Sequence, residues 1–293
     1  MTVRTLLWLF GQLPFRFVQG VGGLLGWLSA WVPNEHRDVS ERNVRLCFPE
    51  LPPREQRMLV RESLAEAGKT LTETFALWFG PVSRSLALVR EVRGAEAFEA
   101  AVARGKGVLL ISPHLGSWEV IGLHVGARHP MLCMYRPPRM EQLDAIIREG
   151  RQRTGTRIVP TDAHGIRALM QALKGGEVVG ILPDQDPRDA SGAVFAPFFG
   201  VQANTMTLIS RLVAKSGAAP FFTFAERLPK GRGFILHLIP ADPAIADTDP
   251  VRATTALNAG VEQCVRMAPE QYQWSYKRFR TRPEGEPRRY RKA

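Results

Sequence analysis

The chain has 293 residues, of which 45% are hydrophobic, so it can bury a large core as one domain or two and is not a disordered polymer. Lysine and arginine outnumber aspartate and glutamate by 39 to 28, a formal charge of +11. That excess favours anionic partners (nucleic acid, anionic lipid, phosphorylated substrates, acidic carrier proteins) without selecting among them. Its three cysteines, Cys47, Cys133 and Cys264, are far apart and form no CxxC or Cys/His set, which argues against a disulfide framework or structural zinc and for a reducing compartment.

The first notable segment is LLWLFGQLPFRFVQGVGGLLGWLSAWV, residues 6–32, whose only charge is Arg16. It is long enough to cross a bilayer, with Trp8, Trp27 and Trp31 near its ends, although Pro14, Arg16, Gln12 and Gln19 weaken a span. A signal peptide fits less well, for want of a small-residue cleavage site. Residues 1–33 are therefore expected to form an N-terminal membrane-associated helix, spanning or interfacial, with a buried first helix as the alternative. Arg37, Arg42 and Arg45 favour a cytoplasmic location for the bulk of the chain, a bias thinned by Glu35, Asp38 and Arg4.

Residues 54–79 carry Leu59, Leu64, Ala67, Leu71, Phe75 and Trp78 at helical spacing, and Gly80-Pro81 ends that helix. SLALVREV (85–92) alternates as a strand, and AEAFEAAVARG (95–105) reads as a short helix. Strands are then expected at 108–112, 131–135, 157–160, 178–182, 219–224 and 234–239. Helices are expected at 118–125, 140–151, 164–173, 205–215 and 252–267. This alternation predicts an α/β fold, a largely parallel mixed sheet flanked by helices, with residues 34–293 forming one domain. The short LPKGRG link (228–233) suggests that the last two strands pair as an antiparallel hairpin.

The chain ends in KRFRTRPEGEPRRYRKA, with eight basic and two acidic residues. It reads as a mobile, solvated tail or as a contact for phosphorylated headgroups. Nucleic-acid recognition is disfavoured, because no zinc finger, helix-turn-helix or ribonucleoprotein signature accompanies the charge.

Chemistry concentrates after the strand 108–112, where VLLISPHLGSWEVIGL presents His114 and Glu119. In open α/β sheets ligands meet the carboxyl ends of strands, and Pro113 helps to stop the strand there. Five positions on one helix separate two side chains by about 140 degrees, so the pair meets only if His114 lies in the loop and Glu119 in the first helical turn. Glu119 would then take one ring N–H, leaving the other nitrogen to deprotonate a hydroxyl. Packing alone also explains the pair.

A metal site is the competitor. His114, Glu119 and His124 are spaced at fives, unlike HExxH, and Asp184 with Asp186 form no recognised metal pattern. His124 reads as packing along its helix or as a surface residue. Ser117 lies in LGSWE, not in a GxSxG elbow, and Cys133 reads as a small buried hydrophobe. Direct transfer without a covalent enzyme intermediate is the consistent reading. Asp184 and Asp186 follow the strand 178–182 and are expected either to line the same cleft or to cap turns around Pro183 and Pro187. Phe195, Phe198 and Phe199 offer an apolar wall for hydrocarbon or ordinary core.

Four segments in order resemble the late acyltransferases of lipid A biosynthesis, along nearly the whole chain. PHLGSWE (113–119) fits that family's H-x4-D/E motif, MYRPPR (134–139) its YRP segment, PDQDPRDASGAVFAPFFG (183–200) its PDxD stretch and APEQYQWSYKRFRTRPEG (268–285) its closing motif. The first motif alone is shared with the wider glycerolipid acyltransferases, whose fold the resemblance implies. Gln185 and Ser275 depart from it, standing where the family commonly has histidine, and bear on acceptor or acyl-chain preference.

The resemblance implies transfer of a fatty acyl group from acyl carrier protein to a hydroxyl of an acyl chain on a phosphorylated lipid A precursor. It places the enzyme at the inner membrane of a Gram-negative bacterium, with its catalytic domain on the cytoplasmic side, and requires no cofactor. It makes His114 the base and Glu119 its orienter. Arg151 and Arg136 become candidates for binding the acidic substrate or the developing charge, with backbone N–H groups at the start of the 116–125 helix as another source of stabilisation. Another membrane lipid (a glycerolipid or ornithine lipid) stays open as acceptor, as does a non-enzymatic, membrane-associated adaptor for the carrier protein.

Overall fold

The computed structural model describes residues 3–138, 140–187 and 192–290. Arg139 of the YRP segment, residues 188–191 of the PDxD stretch and residues 291–293 of the basic end lie outside the described residues.

The apolar N-terminus is not one helix. Pro14 divides it into α1 (Val3–Gln12) and α2 (Phe15–Ser29). Pro14 has φ −57° and ψ 130°, so the chain leaves helical geometry where proline removes an amide donor. The expected single N-terminal helix is thus two helices, and among the described residues no helix is long and apolar enough to cross a membrane. Both helices instead pack on α4 (Pro53–Phe79), reached through α3 (Glu35–Cys47). A Cβ at Gly26 would lie 2.1 Å from Leu64 O, so α2 and α4 touch backbone to backbone. The opposite face of the pair leaves Leu6, Trp8, Leu9, Phe17, Leu24, Leu25, Trp27, Leu28 and Trp31 exposed.

The α/β region then runs α5 (Val82–Ala87), β1 (Val89–Arg93), α6 (Ala95–Ala103), β2 (Val108–Ile111), α7 (Trp118–Gly126), β3 (Met131–Tyr135), α8 (Glu141–Gln152) and β4 (Arg157–Pro160). It continues with α9 (Ala163–Lys174), β5 (Val178–Ile181), β6 (Ala193–Phe198), β7 (Val201–Met206), α10 (Leu208–Ser216), β8 (Ala219–Arg227), β9 (Phe234–Pro240) and α11 (Pro250–Met267). Seven strands form one sheet in the order β1-β9-β8-β2-β5-β3-β4, parallel except for the β8–β9 hairpin. The expected mixed, largely parallel sheet is therefore the observed one.

Strand β2 lies between β8 and β5 and is buried on both faces, as its unbroken apolar run requires. Leu109 and Ile111 enter a core with residues of α9, α10 and α11, while Val108 and Leu110 enter a second core with residues of α2, α6 and α7.

Two segments depart from the expected elements. Residues 85–87 close the short helix α5, so the strand there begins only at Val89. Residues 193–206 form a separate hairpin, β6 antiparallel to β7, and α10 begins at Leu208. The connecting Phe199 and Gly200 both have positive φ, 49° and 73°, the backbone of a tight hairpin turn.

Candidate active site

His114 follows the carboxyl end of β2, and Asp184 follows that of its parallel neighbour β5. Ile111 and Ile181 are register partners, so three further residues on each strand deliver the histidine and the aspartate side by side. Asp184 holds His114 twice: the backbone amide donates to Oδ2 at 2.9 Å, and Nδ1 lies 2.7 Å from Oδ1. Beside a buried carboxylate Nδ1 carries the proton, which leaves Nε2 as the acceptor nitrogen. Gln185 Nε2 stands 3.1 Å from that nitrogen. Burial alone would raise the Asp184 pKa, but the His114 charge, both hydrogen bonds and Arg278 outweigh it and hold the carboxyl below its ordinary value.

The loop carrying His114 is clamped from two sides. Gln273 donates its amide to His114 O at 3.0 Å, and Gly116 donates to Gln271 O at 3.1 Å. Ser117 donates to Ala225 O at 2.9 Å. Gly116 has φ +60°, and a Cβ there would lie 2.1 Å from Ala225 O, so only glycine fits. The amides of Gly116 and Ser117 are thus committed to neighbouring backbone and do not supply the stabilisation expected of the helix start.

Glu119 does not orient His114. It sits in the first turn of α7, as expected, but its carboxylate binds Arg151 of α8 in a two-pronged ion pair, with Nε 3.0 Å from Oε2. Trp78 of α4 donates its indole N–H to the same Oε2 at 3.2 Å. A carboxylate from another strand end has the place on the imidazole that the five-residue spacing suggested for Glu119.

These groups share one open cleft of about 460 Å³. His114, Trp118, Glu119, Arg151 and Gln185 line one part, and Leu71, Phe75, Leu143 and Ile147 of α4 and α8 give the rest an apolar wall. Leu71 is 66% exposed and Leu143 37% exposed, so that wall reaches the outer surface.

Other candidates lie elsewhere. Arg136 is exposed beyond β3 and is not among the residues lining the cleft. Asp186 is buried and spent on structure: Asn204 donates to Oδ1 at 3.0 Å, and Arg280 and Thr281 hold Oδ2 at 3.0 and 2.8 Å. Phe198 and Phe199 are buried against Phe48, Trp274 and Phe279 and face the core rather than the cleft, and Phe195 does not line the cleft either. His124 is buried in α7, and its Nδ1 has no hydrogen-bond partner among the described residues.

The basic C-terminal segment, as far as residue 290, is sewn to the domain. Arg278 is buried, donating to Asn204 O at 2.6 Å and to the Thr205 hydroxyl at 2.9 Å. Tyr290 donates to Asn43 Oδ1 at 2.5 Å.

A histidine–aspartate pair at the carboxyl edge of a parallel sheet, beside a partly apolar cleft, has the chemical groups that proton transfer requires. Residues 2–281 match the bacterial lipid A biosynthesis acyltransferases, and the chain belongs to that family. It is 36% identical to the lipid A biosynthesis lauroyltransferase of Escherichia coli K12, over 97% of this chain and 92% of the relative. It is 32% identical to the palmitoleoyltransferase of the same organism, over 97% and 92%. The E. coli K12 myristoyltransferase is 24% identical, over 95% of this chain and 86% of that protein.

Proposed function

We infer that this acyltransferase moves a fatty acyl group from acyl carrier protein to a hydroxyl on an acyl chain of a phosphorylated lipid A precursor, with no acyl-enzyme intermediate. The donor is a long-chain thioester, in keeping with relatives named for lauroyl, myristoyl and palmitoleoyl transfer. The observation that carries the reading is the His114–Asp184 contact at 2.7 Å, opening on an apolar cleft.

The acceptor hydroxyl displaces the Gln185 amide from His114 Nε2 and gives that nitrogen its proton as it attacks the thioester carbonyl. The buried Asp184 carboxylate stabilises the imidazolium that forms. Such a positioned base contributes about 10²- to 10⁴-fold. Negative charge collects on the carbonyl oxygen and is stabilised by Arg151, whose guanidinium Glu119 holds at the cleft wall. Collapse of the adduct restores the carbonyl, breaks the carbon–sulfur bond and returns the proton from Nε2 to the departing carrier thiolate.

The acceptor's hydrocarbon enters along Leu71, Phe75 and Leu143, from a membrane in which the exposed face of α1 and α2 is seated. On this reading the protein rests on the cytoplasmic face of the inner membrane, a seating that agrees with the split N-terminal helices. Basic side chains near an anionic surface add about 1 kcal/mol each, and positive charge also speeds encounter with an acidic carrier protein.

The test is a matrix of acyl-carrier donors and lipid acceptors read by mass spectrometry, with His114→Ala and Asp184→Asn alongside the wild type. Transfer to the lipid A precursor, lost in both variants while circular dichroism is unchanged, supports the reading. Near-normal turnover without His114 removes it.

A further inference from the structure

The acceptor hydroxyl must bind where a side chain already stands. Gln185 Nε2 lies 3.1 Å from His114 Nε2, the nitrogen that takes the proton. An imidazole protonated on Nδ1 can only accept there, so the carboxamide is the donor in this resting contact. Its second N–H makes no hydrogen bond among the described residues. The side chain is aimed from a fixed backbone. Asp184, just before it, is buried and bound to the His114 amide and ring. Asp186, just after it, donates its amide to the Tyr276 hydroxyl at 3.0 Å and holds Asn204, Arg280 and Thr281 through its carboxylate. Between these anchors only the flexible glutamine reaches into the cleft, which it lines.

Attack places negative charge close by. A hydroxyl bound to Nε2 has its oxygen about 2.8 Å away, and the carbon it attacks starts about 3–3.5 Å from that oxygen. Those lengths put the thioester carbonyl oxygen within the sweep of a glutamine whose amide already stands 3.1 Å from the same nitrogen. The adjoining backbone is spent. The amides of His114, Leu115, Gly116 and Ser117 are bonded to Asp184, Pro113 O, Gln271 O and Ala225 O. Arg151 has its Nε and Nη2 on Glu119.

Resting on the acyl-transfer reading above, we propose that Gln185 is a further catalytic residue: the hydroxyl takes its place on Nε2, and the displaced amide donates to the oxygen of the tetrahedral adduct. As the new carbon–oxygen bond forms, the carbonyl π pair moves onto that oxygen and the hydroxyl proton goes to Nε2. When the pair returns, the carbon–sulfur bond breaks and Nε2 passes the proton to the thiolate. The amide loses no proton at any point. It adds a neutral donor to the charged Arg151, and unlike the histidine common at this position in the family it donates without titrating.

The test compares the full chain, in detergent, with Gln185→Ala, Gln185→Glu and Gln185→His, using dodecanoyl carrier thioester and the lipid A precursor. One donor to such an oxyanion is worth about 10²–10³ in kcat. Gln185→Ala should lose that much. Gln185→Glu, which keeps the length but offers only acceptors, should lose at least as much, and Gln185→His, which restores an N–H, should stay within about tenfold of the wild type. Both KM values should hardly move, because the contact forms only with the adduct. Unchanged or raised kcat in Gln185→Ala would make the amide a mere plug on the base, and a higher KM at constant kcat would make it a substrate-binding group. Either result overturns the proposal, as does a fall in kcat that tracks a lowered thermal midpoint across all three variants.

A probe without turnover reads the donor whichever lipid is the acceptor. Undecyl trifluoromethyl ketone hydrates to a tetrahedral carbon bearing oxygens, whereas undecyl methyl ketone stays planar. In calorimetric titration the wild type should bind the fluorinated ketone at least about tenfold tighter. Gln185→Ala should lose that preference while binding the methyl ketone as before. The same preference in both proteins, or none in the wild type, sinks the role of Gln185 even where acyl transfer is demonstrated. A preference lost in Gln185→Ala, with no wild-type transfer to the lipid A precursor, keeps Gln185 as the donor and removes the lipid A reading instead.

Discussion

His114 and Asp184 stand three residues beyond Ile111 and Ile181, partners in the parallel β2–β5 ladder. Each is preceded by a proline that stops its strand, in ISPH and ILPD, so two neighbouring strands end alike and set down complementary side chains. The register of the sheet thus sets where the pair stands, and the imidazole is held by Asp184 rather than by a helix-borne carboxylate.

Asp184→Asn keeps the size of the side chain and its contact with the His114 amide but removes the charge that supports an imidazolium. Turnover should fall about 10²- to 10⁴-fold. His114→Ala should cost about as much, and the double variant little more, because the two act as a unit. Steady-state kinetics on the three variants measures this. A fall in Asp184→Asn of only a few fold would take the orienting role away from it.

Glu119→Gln should act through Arg151 rather than through His114. It strands a guanidinium whose side chain is 28% exposed, at a cost of about 1–3 kcal/mol, below the 3–5 kcal/mol of fully buried pairs. Pairing the change with Arg151→Met should restore most of the lost stability while activity stays low. Thermal unfolding and kcat/KM on this double-mutant cycle decide it, and independent, additive losses would show that the two residues do not work as a pair.

Much of the architecture was readable from periodicity, because strands such as VLLI and VVGI are unbroken apolar runs between helical stretches of ordinary length. The β6–β7 hairpin was not. Its turn is Phe199-Gly200, without the Asn-Gly or Asp-Gly that usually announces one, and its apolar residues read equally well as core or wall. At the site, strand ends placed His114 correctly, but spacing along one segment cannot reveal a partner 70 residues away. The signal available for Asp184 was the likeness of VLLISPH to VVGILPD, a comparison between two strands that a reading along the chain passes over. The contacts of Arg278, Arg280 and Asp186 were hidden for the same reason: composition marks a basic end as solvated, while its pairing depends on which buried oxygens the fold brings near.

His124 gives the protein an acid-sensitive stability. Burial, with Arg128 adding to it, lowers its pKa from 6.5 to about 4. The unfolded chain therefore binds a proton near pH 6.5 that the folded chain refuses until about pH 4, so stability falls as the pH drops through that window. At pH 5 the loss relative to pH 8 should be about 1–2 kcal/mol. Denaturant unfolding at both values, for wild type and His124→Leu, checks it. The variant should lose less by that amount, and an identical pH dependence would clear His124 of the effect.

The exposed face of α1 and α2 should behave as an interfacial anchor. Leu24 and Leu25 are 57% and 58% exposed, and Trp27 and Trp31 are in edge contact nearby. Replacing Leu24 and Leu25 by glutamate should weaken sedimentation with phosphatidylglycerol vesicles at least about tenfold, since both apolar burial and attraction to anionic lipid are lost. Turnover on an acceptor dispersed in detergent should survive. Undiminished vesicle binding would move the membrane contact away from this face.

The buried network around Arg227 separates stability from activity most clearly. Its side chain is 2% exposed and binds Glu73 at 2.5 Å, the Thr70 hydroxyl at 2.6 Å and Gly116 O at 2.9 Å, while Gln19 of α2 donates to the other Glu73 oxygen at 2.7 Å. The same guanidinium thus ties the N-terminal helices to the loop that carries His114. Glu73→Leu alone leaves the buried guanidinium only its longer contact with Glu66, at 3.4 Å, and should cost about 3–5 kcal/mol. Adding Arg227→Met removes that charge and should recover much of the loss, because a buried ion pair contributes little over hydrocarbon of similar size. Activity should not recover with it, since Gly116 O has then lost its donor two residues from the base. Chemical denaturation with turnover on the same preparations checks both halves, and a double variant restored in stability and turnover alike would show that Arg227 serves the fold without positioning the loop.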